Sequence, residues 1–184
     1  MVSITEIKTE LPSWPGGVLE QWLLPLANQW DAGWPVPNPL GMHRWAWILG
    51  HRPISWWQDV SWSLCAKDCS YSALSRDTRK IEDRINNEIS FGGADEATER
   101  RYMAAYKYIL EHASFPRPLV VIDLPYGVSV LDGNHRIAAY CFLRKAPDYA
   151  FGLINLRRPP AIQETWVGTH VRGELPLDVP PWLD

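Results

Sequence analysis

A short apolar run at residues 128–131 leads into a polar turn and then into a second apolar stretch at helical spacing. This pattern predicts a strand, a tight turn and the start of a helix. Gly133 can adopt a positive φ or let a ligand approach the backbone, and the first amides of the helix lack intrahelical acceptors. With the positive end of the helix dipole and Arg136 nearby, the turn is a good seat for a phosphate group. Its five residues are Asp132, Gly133, Asn134, His135 and Arg136.

The same five residues also have a purely structural interpretation. Asp, Asn and Gly are common in turns, and Asn or Asp commonly caps a helix without binding anything. His135 could cap the helix or bond a backbone carbonyl, and Asp132 could simply form the turn. The functional interpretation is favoured because His135 and Arg136 stand together behind the glycine, where two bulky polar side chains between apolar segments need solvent or a ligand.

Three side chains of the turn are candidate catalytic groups. His135 could serve as acid or base, because an unperturbed histidine has a pKa of about 6.5. Arg136 could neutralise phosphate charge through its planar guanidinium. Asp132 could orient His135 or hold a magnesium ion. The candidate phosphate-binding residues are Gly133, Asn134, His135 and Arg136, and a second carboxylate near the turn could come from Glu82, Asp83, Glu88 or Glu99.

The nine residues from 131 to 139, LDGNHRIAA, resemble the signature of the ParB/sulfiredoxin superfamily. The core of that superfamily places an Asp-Gly-x-His-Arg or Gly-x-x-Arg turn against a nucleotide phosphate. The resemblance covers residues 74–156 and implies an α+β fold, with a small mixed sheet packed with helices behind an irregular Trp- and Pro-rich N-terminal segment. No cysteine stands in the turn, which excludes sulfiredoxin-type chemistry, and no helix-turn-helix follows the core, which weakens a centromere-binding role.

The resemblance also implies ligands and partners. ATP with Mg²⁺ or another divalent cation is the expected cofactor at the turn. In size and in its Trp-rich N-terminal segment the chain is most similar to superfamily members that act as fertility inhibitors of conjugative plasmids, which are associated with ATPase and DNase activity. The implied function is ATP hydrolysis and DNA cleavage that block conjugative or T-DNA transfer. The implied partners are single-stranded transfer DNA and type IV secretion or coupling proteins.

Two alternatives stay open at this point. One is a non-catalytic inhibitor that docks on the secretion or coupling machinery. The other is a small-molecule kinase built on the same core.

Composition limits the classes of function. A net charge of −3 and a pI near 5.9 argue against the broad basic field of a DNA-coating protein, so any contact with nucleic acid must be local. No window approaches the roughly 18 apolar residues of a membrane span, and the charged N-terminus, broken by Pro12 and Pro15, is unlike a signal peptide. The spacing of Cys65, Cys69 and Cys141 fits neither a CxxC pair nor a zinc site. We expect a cytoplasmic protein that partners could bring to the inner membrane.

We expect a single domain over residues 1–184, with an N-terminal segment at 1–62, a core at 63–158 and a Pro-rich tail at 159–184. Nine of the eleven Trp residues lie between Trp14 and Trp62. They could form an aromatic mini-core, a protein-binding surface or a stacking platform for single-stranded bases. The mini-core is favoured because large aromatic side chains are mostly buried.

Periodicity and turn residues predict the elements that would position the turn. Arg100, Arg101 and Lys107 could touch a phosphate backbone if their helix lies beside the turn, although a solvated face is favoured for them. Surface chain is expected at 157–160 and 175–184. The predicted helices are 18–24, 45–49, 74–89 before Gly92 and Gly93, a helix capped by Asp95 that ends before Pro116, and 134–144; the predicted strands are 61–67, 119–124, 128–131 and 149–156.

Overall fold

A computed structural model describes residues 1–29 and 32–172 of the chain. The chain folds into two compact units, Leu64–Val167 and the combination of Met1–Ser63 with Gly168–Asp184. Within the described ranges, every helix is too short or too polar to span a bilayer. The surface chain predicted at 175–184 and the side chain of Trp30 lie outside the described residues.

The unit that contains the N-terminus is built from short helices. They are α1 (Ile4–Glu10), α2 (Gly16–Val18), α3 (Leu24–Ala27), α4 (Arg44–Ile48) and α5 (Ile54–Gln58), and a π-helical turn, Leu19–Leu23, joins α2 to α3.

The helix predicted at 45–49 is confirmed by α4, but the helix predicted to end near Pro25 continues to Ala27. Pro25 has no N–H to donate to the previous turn. The preceding turn is widened, and Leu24 N donates to Leu19 O, five residues back. This π-helical turn lets the helix pass through the proline.

Tryptophan side chains fill the interior of this unit. Trp14 stacks on Trp22 with ring centroids 5.9 Å apart, and both meet Trp57 edge to face. The indole N–H groups of Trp14 and Trp57 have acceptors, since Trp14 Nε1 donates to Trp57 O at 3.1 Å and Trp57 Nε1 to Leu49 O at 3.1 Å. The buried Nε1 of Trp56 has no acceptor among the described residues. This packing favours the mini-core interpretation, while Trp47 is 47% exposed. The buried members are Trp14, Trp22, Trp45, Trp56 and Trp57.

Four strands form one mixed sheet in the order β1-β4-β2-β3. They are β1 (Val60–Asp68), β2 (Leu119–Leu124), β3 (Gly127–Asp132) and β4 (Ile162–His170), and the boundaries between the two units fall within β1 and β4.

The hairpin predicted from the apolar runs at 119–124 and 128–131 is confirmed. β2 and β3 pair antiparallel, with Val121 opposite Val130, and a bulge follows where Val120 pairs with Asp132. The hairpin therefore places Asp132 at the very end of β3.

Longer helices cover the sheet in the Leu64–Val167 unit. The predicted helices at 74–89, after Asp95 and at 134–144 are confirmed by α6 (Arg76–Ser90), α7 (Glu96–His112) and α8 (Asn134–Lys145). Asp95 caps α7 as predicted, because its Oδ1 accepts from Thr98 N at 2.7 Å. The buried side of α8 consists of Ile137, Ala138, Ala139, Tyr140, Cys141 and Leu143. The architecture is α+β, with helices packed on a small mixed sheet.

The strand predicted at 149–156 is wrong, because these residues belong largely to α9 (Asp148–Leu153). In α9 only Phe151 is buried, whereas Tyr149 and Leu153 are exposed. Short apolar runs do not distinguish a strand from a helix by periodicity. Here Pro147 at the N-cap favours the helix because its fixed φ suits the start of a turn.

The strand β4 was not predicted and lies in the segment assigned to a Pro-rich tail. Its inward-facing side chains include two polar ones, which hides the usual alternation of apolar and polar residues. Gln163 Nε2 donates to Ala113 O at 3.1 Å, and Thr165 Oγ1 donates to Cys65 O at 3.4 Å. Hydrogen bonds to distant carbonyls thus satisfy these inward-facing side chains, and the sequence alone does not reveal such partners.

A substitution at Gly127 tests how closely β3 packs against the chain that precedes α6. The φ of Gly127 is +128°, and an added Cβ would lie 2.8 Å from Leu74 C and from Ser75 N. We expect Gly127→Ala to lower the free energy of unfolding by about 2–4 kcal/mol, through backbone strain and steric overlap. Urea denaturation measures this loss. Gly93→Ala is the control, because its Cβ would meet nothing closer than 3.9 Å; an equal loss in both variants would contradict the packing described here.

Candidate functional site

The 132–136 turn has the backbone arrangement that the sequence predicts. Gly133 has φ 109° and ψ 24°, and α8 begins at the next residue without a side-chain cap. Ile137 N donates to Gly133 O at 2.9 Å. The backbone amides of Asn134, His135 and Arg136 have no acceptor in the part of the chain that the structure describes. Three N–H groups at the positive end of a helix dipole therefore remain for a ligand.

Gly133 is required for packing as well as for its conformation. An added Cβ would overlap the Leu119 side chain and would lie 2.9 Å from Arg136 Nε. The sequence left open whether this glycine lets a ligand approach the backbone. The structure shows that this side of the turn is filled by Leu119 and the Arg136 guanidinium.

The Arg136 guanidinium forms an ion pair and hydrogen bonds with other parts of the chain. Its Nη2 forms an ion pair with Asp132, and its Nη1 donates to Arg117 O at 3.0 Å and to Pro118 O at 3.2 Å. Only 11% of its side chain is exposed. Burial lowers the pKa of Arg136, and the Asp132 carboxylate opposes that effect. Arg136 therefore ties the end of β3 to the residues just before β2.

Asp132 does not provide a magnesium site by itself. Its carboxylate is paired with Arg136, and the described ranges contain no group of three His, Cys, Asp or Glu side chains that could hold a metal ion. Mg²⁺ at nucleotide sites is usually held by one or two carboxylates together with substrate phosphates and water. Asp132 could supply one such ligand only by sharing its carboxylate with Arg136.

His135 is half-buried at the first turn of α8. Burial is the largest influence on its ring and lowers the pKa of His135; Arg101 lowers this pKa further, while Asp95 and Asp132 raise it. The net direction is downward, so the neutral ring is favoured near neutral pH. A neutral imidazole can accept a proton, which suits a general base.

Asn134 contributes an acceptor that has no partner. Its Oδ1 is buried and receives no hydrogen bond among the described residues. A buried acceptor without a donor costs free energy. A ligand hydroxyl or a water molecule at this position would relieve that cost.

The helices beside α8 bring further charges to its first turn. The ring centroids of Tyr106 on α7 and Phe142 on α8 are 6.2 Å apart. Tyr102 OH, also on α7, donates to Asn86 Oδ1 at 2.9 Å. Asn86 Nδ2 in turn donates to Ala138 O at 3.1 Å. These contacts advance in the same direction along both helices, so α7 and α8 run in the same sense and begin at the same end.

Helix α6 runs the opposite way beside α8. Glu82 accepts from Lys145 Nζ at 3.2 Å at the end of α8, whereas Asn86 contacts Ala138 near its start. The C-terminal half of α6 therefore lies at the same end as the turn. Arg84 from this half also lowers the pKa of His135, as expected of a cation in that position.

Of the candidate second carboxylates, Glu82 and Asp83 have partners elsewhere, whereas Glu99 lies in the first turn of α7, which begins at the same end as α8. Glu82 is fully buried beside Lys145 and Asn86, and burial is the main cause that raises the pKa of Glu82. Asp83 accepts from Tyr71 OH at 2.8 Å, and Glu88 lies 3.9 Å from Arg84. Sequence reasoning missed Asp95 as the acid that acts on His135, because its capping role already explained its position.

Comparison with known proteins gave no match to a family model, to a curated protein or to a solved structure.

The pH dependence of stability tests the environment of His135. Because the folded protein lowers the pKa of His135, the unfolded chain binds the proton more readily. The stability contributed by the neutral ring is present above about pH 6.5 and is lost as pH falls through the folded pKa. We expect His135→Gln to lose less stability than wild type between about pH 7.5 and about pH 5.0, as measured by urea denaturation.

His112→Gln is the matched control for this measurement, since His112 is an exposed histidine on α7. The free energy of unfolding of His112→Gln should change with pH as that of the wild type does. If His135→Gln also follows the wild-type dependence, the ring is not held in the neutral form by its surroundings.

Removing Arg136 tests the role of its ion pair. Arg136→Ala leaves Asp132 and the carbonyls of Arg117 and Pro118 without their donor. We expect the free energy of unfolding to fall by about 3 kcal/mol, because breaking a largely buried ion pair leaves an uncompensated charge. Thermal and urea denaturation measure the loss. Arg101→Ala, an exposed arginine outside this network, should change stability by less than about 0.5 kcal/mol; similar losses in both variants would refute the anchoring role.

Proposed function

We propose that the 132–136 turn binds the phosphate groups of a nucleotide and that the protein hydrolyses ATP there. The observation that carries the proposal is the set of three amides, at Asn134, His135 and Arg136, that point out of the start of α8 without acceptors. Such a group of N–H donors at a helix N-terminus binds an oxyanion and stabilises negative charge that develops during phosphoryl transfer.

His135 supplies the proton transfer in this proposal. Its neutral ring accepts a proton from a water molecule as the water oxygen attacks the terminal phosphorus. The bond between that phosphorus and the bridging oxygen breaks, and the bridging oxygen leaves with ADP. The amides of α8 hold the charged oxygens throughout. Arg136 contributes by fixing the turn, because its guanidinium is already bound to Asp132 and two carbonyls.

The resemblance of LDGNHRIAA to the ParB/sulfiredoxin signature supports a wider proposal. The strand, turn and helix that carry this sequence lie in an α+β unit with a small mixed sheet, which agrees with the expected type of core. We extend the function to DNA cleavage that blocks conjugative or T-DNA transfer through a type IV secretion system, as in fertility inhibitors of the oncogenic suppression type. Arg84, Arg101 and Arg117 near the turn provide local positive charge in a chain whose net charge is −3.

A non-catalytic inhibitor is the second candidate. Most of the Trp side chains of the N-terminal segment are buried, which reduces the surface they could offer to a secretion or coupling protein. Met42 and Trp47 are nevertheless 86% and 47% exposed. Contiguous exposed apolar surface marks protein–protein sites, and these two side chains are residues of the segment that could contribute to one.

A paired activity assay decides between the two candidates. We expect His135→Gln to reduce ATP turnover and single-stranded DNA cleavage by about 100-fold or more, the usual effect of losing a general base. His112→Gln, which replaces an exposed histidine on α7, should retain both activities.

Inhibition of plasmid transfer in cells is the second readout. If His135→Gln abolishes inhibition and Trp47→Ala preserves it, catalysis underlies the biological effect. If wild type turns over neither ATP nor DNA, and Trp47→Ala abolishes inhibition, the enzymatic proposal is wrong and the docking candidate stands.

A further inference from the structure

The start of α8 is closed on one side and open on another. The Leu119 side chain and the Arg136 guanidinium fill the space next to Gly133. Arg136 is held by Asp132 and by the carbonyls of Arg117 and Pro118. A phosphate that reaches the free amides therefore cannot approach past Gly133 or draw Arg136 away without breaking these bonds.

The side of the turn that faces α7 is different. Because α7 and α8 begin at the same end, the first two turns of α7 lie beside His135. Arg101 is on this part of α7 and is exposed. The structure gives it no hydrogen bond or ion pair among the described residues, although its charge acts on both His135 and Asp95.

We propose that Arg101, and not Arg136, is the arginine that binds the phosphate at the start of α8, while Arg136 is a positioning residue that holds the turn. This inference rests on the proposed nucleotide site. It predicts that the anion lies between the first turns of α7 and α8, in contact with the Arg101 guanidinium and the amides of Asn134 and His135.

The charges near Arg101 include three acids, Asp95 at the N-cap of α7 and Glu96 and Glu99 in its first turn. The Asp95 carboxylate accepts from Thr98 N as the helix cap. Arg100 points to Glu96, with 3.8 Å between the side-chain atoms. Arg101 is thus the cation at this end of α7 whose guanidinium is not held by its own helix, and a planar guanidinium binds phosphate through two parallel hydrogen bonds.

Two adjacent arginines of α7 make a matched test. Calorimetry with ATP at low salt should show about tenfold weaker binding for Arg101→Ala, a loss of about 1.4 kcal/mol, and no change for Arg100→Ala. Arg101→Lys should bind with intermediate affinity, because an ammonium keeps the charge and loses the paired donors. Asp95→Asn keeps a helix cap and removes a negative charge, so it should bind ATP more tightly than wild type.

A second readout checks the position of Arg101 without any ligand. NMR titration of the His135 ring should give a higher pKa in Arg101→Ala, since Arg101 lowers this pKa in the wild-type protein. Arg100→Ala should leave the pKa of the His135 ring unchanged. A merely structural role for Arg101 would not produce this difference.

The outcomes separate this inference from the proposed function. If wild type binds ATP and both arginine variants bind equally well, or equally poorly, the assignment to Arg101 is wrong and the nucleotide site stands. An unchanged His135 pKa in Arg101→Ala also overturns the assignment. If wild type shows no heat with ATP in the presence or absence of magnesium, the proposed function fails, and the inference about Arg101 fails with it.

Discussion

The ion pair between Asp132 and Arg136 is the interaction on which the geometry of the turn depends. It joins the last residue of β3 to the first turn of α8, and the same guanidinium reaches the carbonyls of Arg117 and Pro118 before β2. Gly133 between them adopts a left-handed conformation and leaves the space that the guanidinium occupies. Strand, turn, helix and hairpin are therefore fixed together by one buried cation, and the free amides of α8 are oriented as a consequence.

A second buried polar group fixes the helices around the turn. Asn86 accepts from Tyr102 of α7 and donates to Glu82 and to Ala138 O of α8, so one side chain links three helices. Burial raises the pKa of Glu82, and Lys145 opposes this by favouring the charged carboxylate. Directional bonds of this kind specify which residues of neighbouring helices lie side by side, whereas apolar contacts alone would tolerate sliding. The alignment that places α7 beside His135 depends on this network.

The parts of the fold that followed from sequence are those whose signal is local. The amphipathic spacing of α6 and α7, the Asp95 cap and the apolar strands of the hairpin each depend on residues close together in the chain. The strand β4 did not follow, because Gln163 and Thr165 face inward and are satisfied by distant carbonyls. The partners of Arg136 did not follow either, since Arg117 and Pro118 reach it only through the folding of the hairpin.

A turn can adopt the backbone that its sequence predicts while its side chains are already engaged by distant parts of the fold. From sequence, Arg136 is the natural phosphate ligand because it is the cation next to the glycine. In the fold its charge is already balanced, and moving it to a ligand would leave Asp132 and two carbonyls without a donor. That rearrangement costs several kcal/mol, comparable to the interaction it would gain. An exposed arginine from an adjacent helix has no such cost, which is the physical reason for the proposed division into a positioning residue and a binding residue.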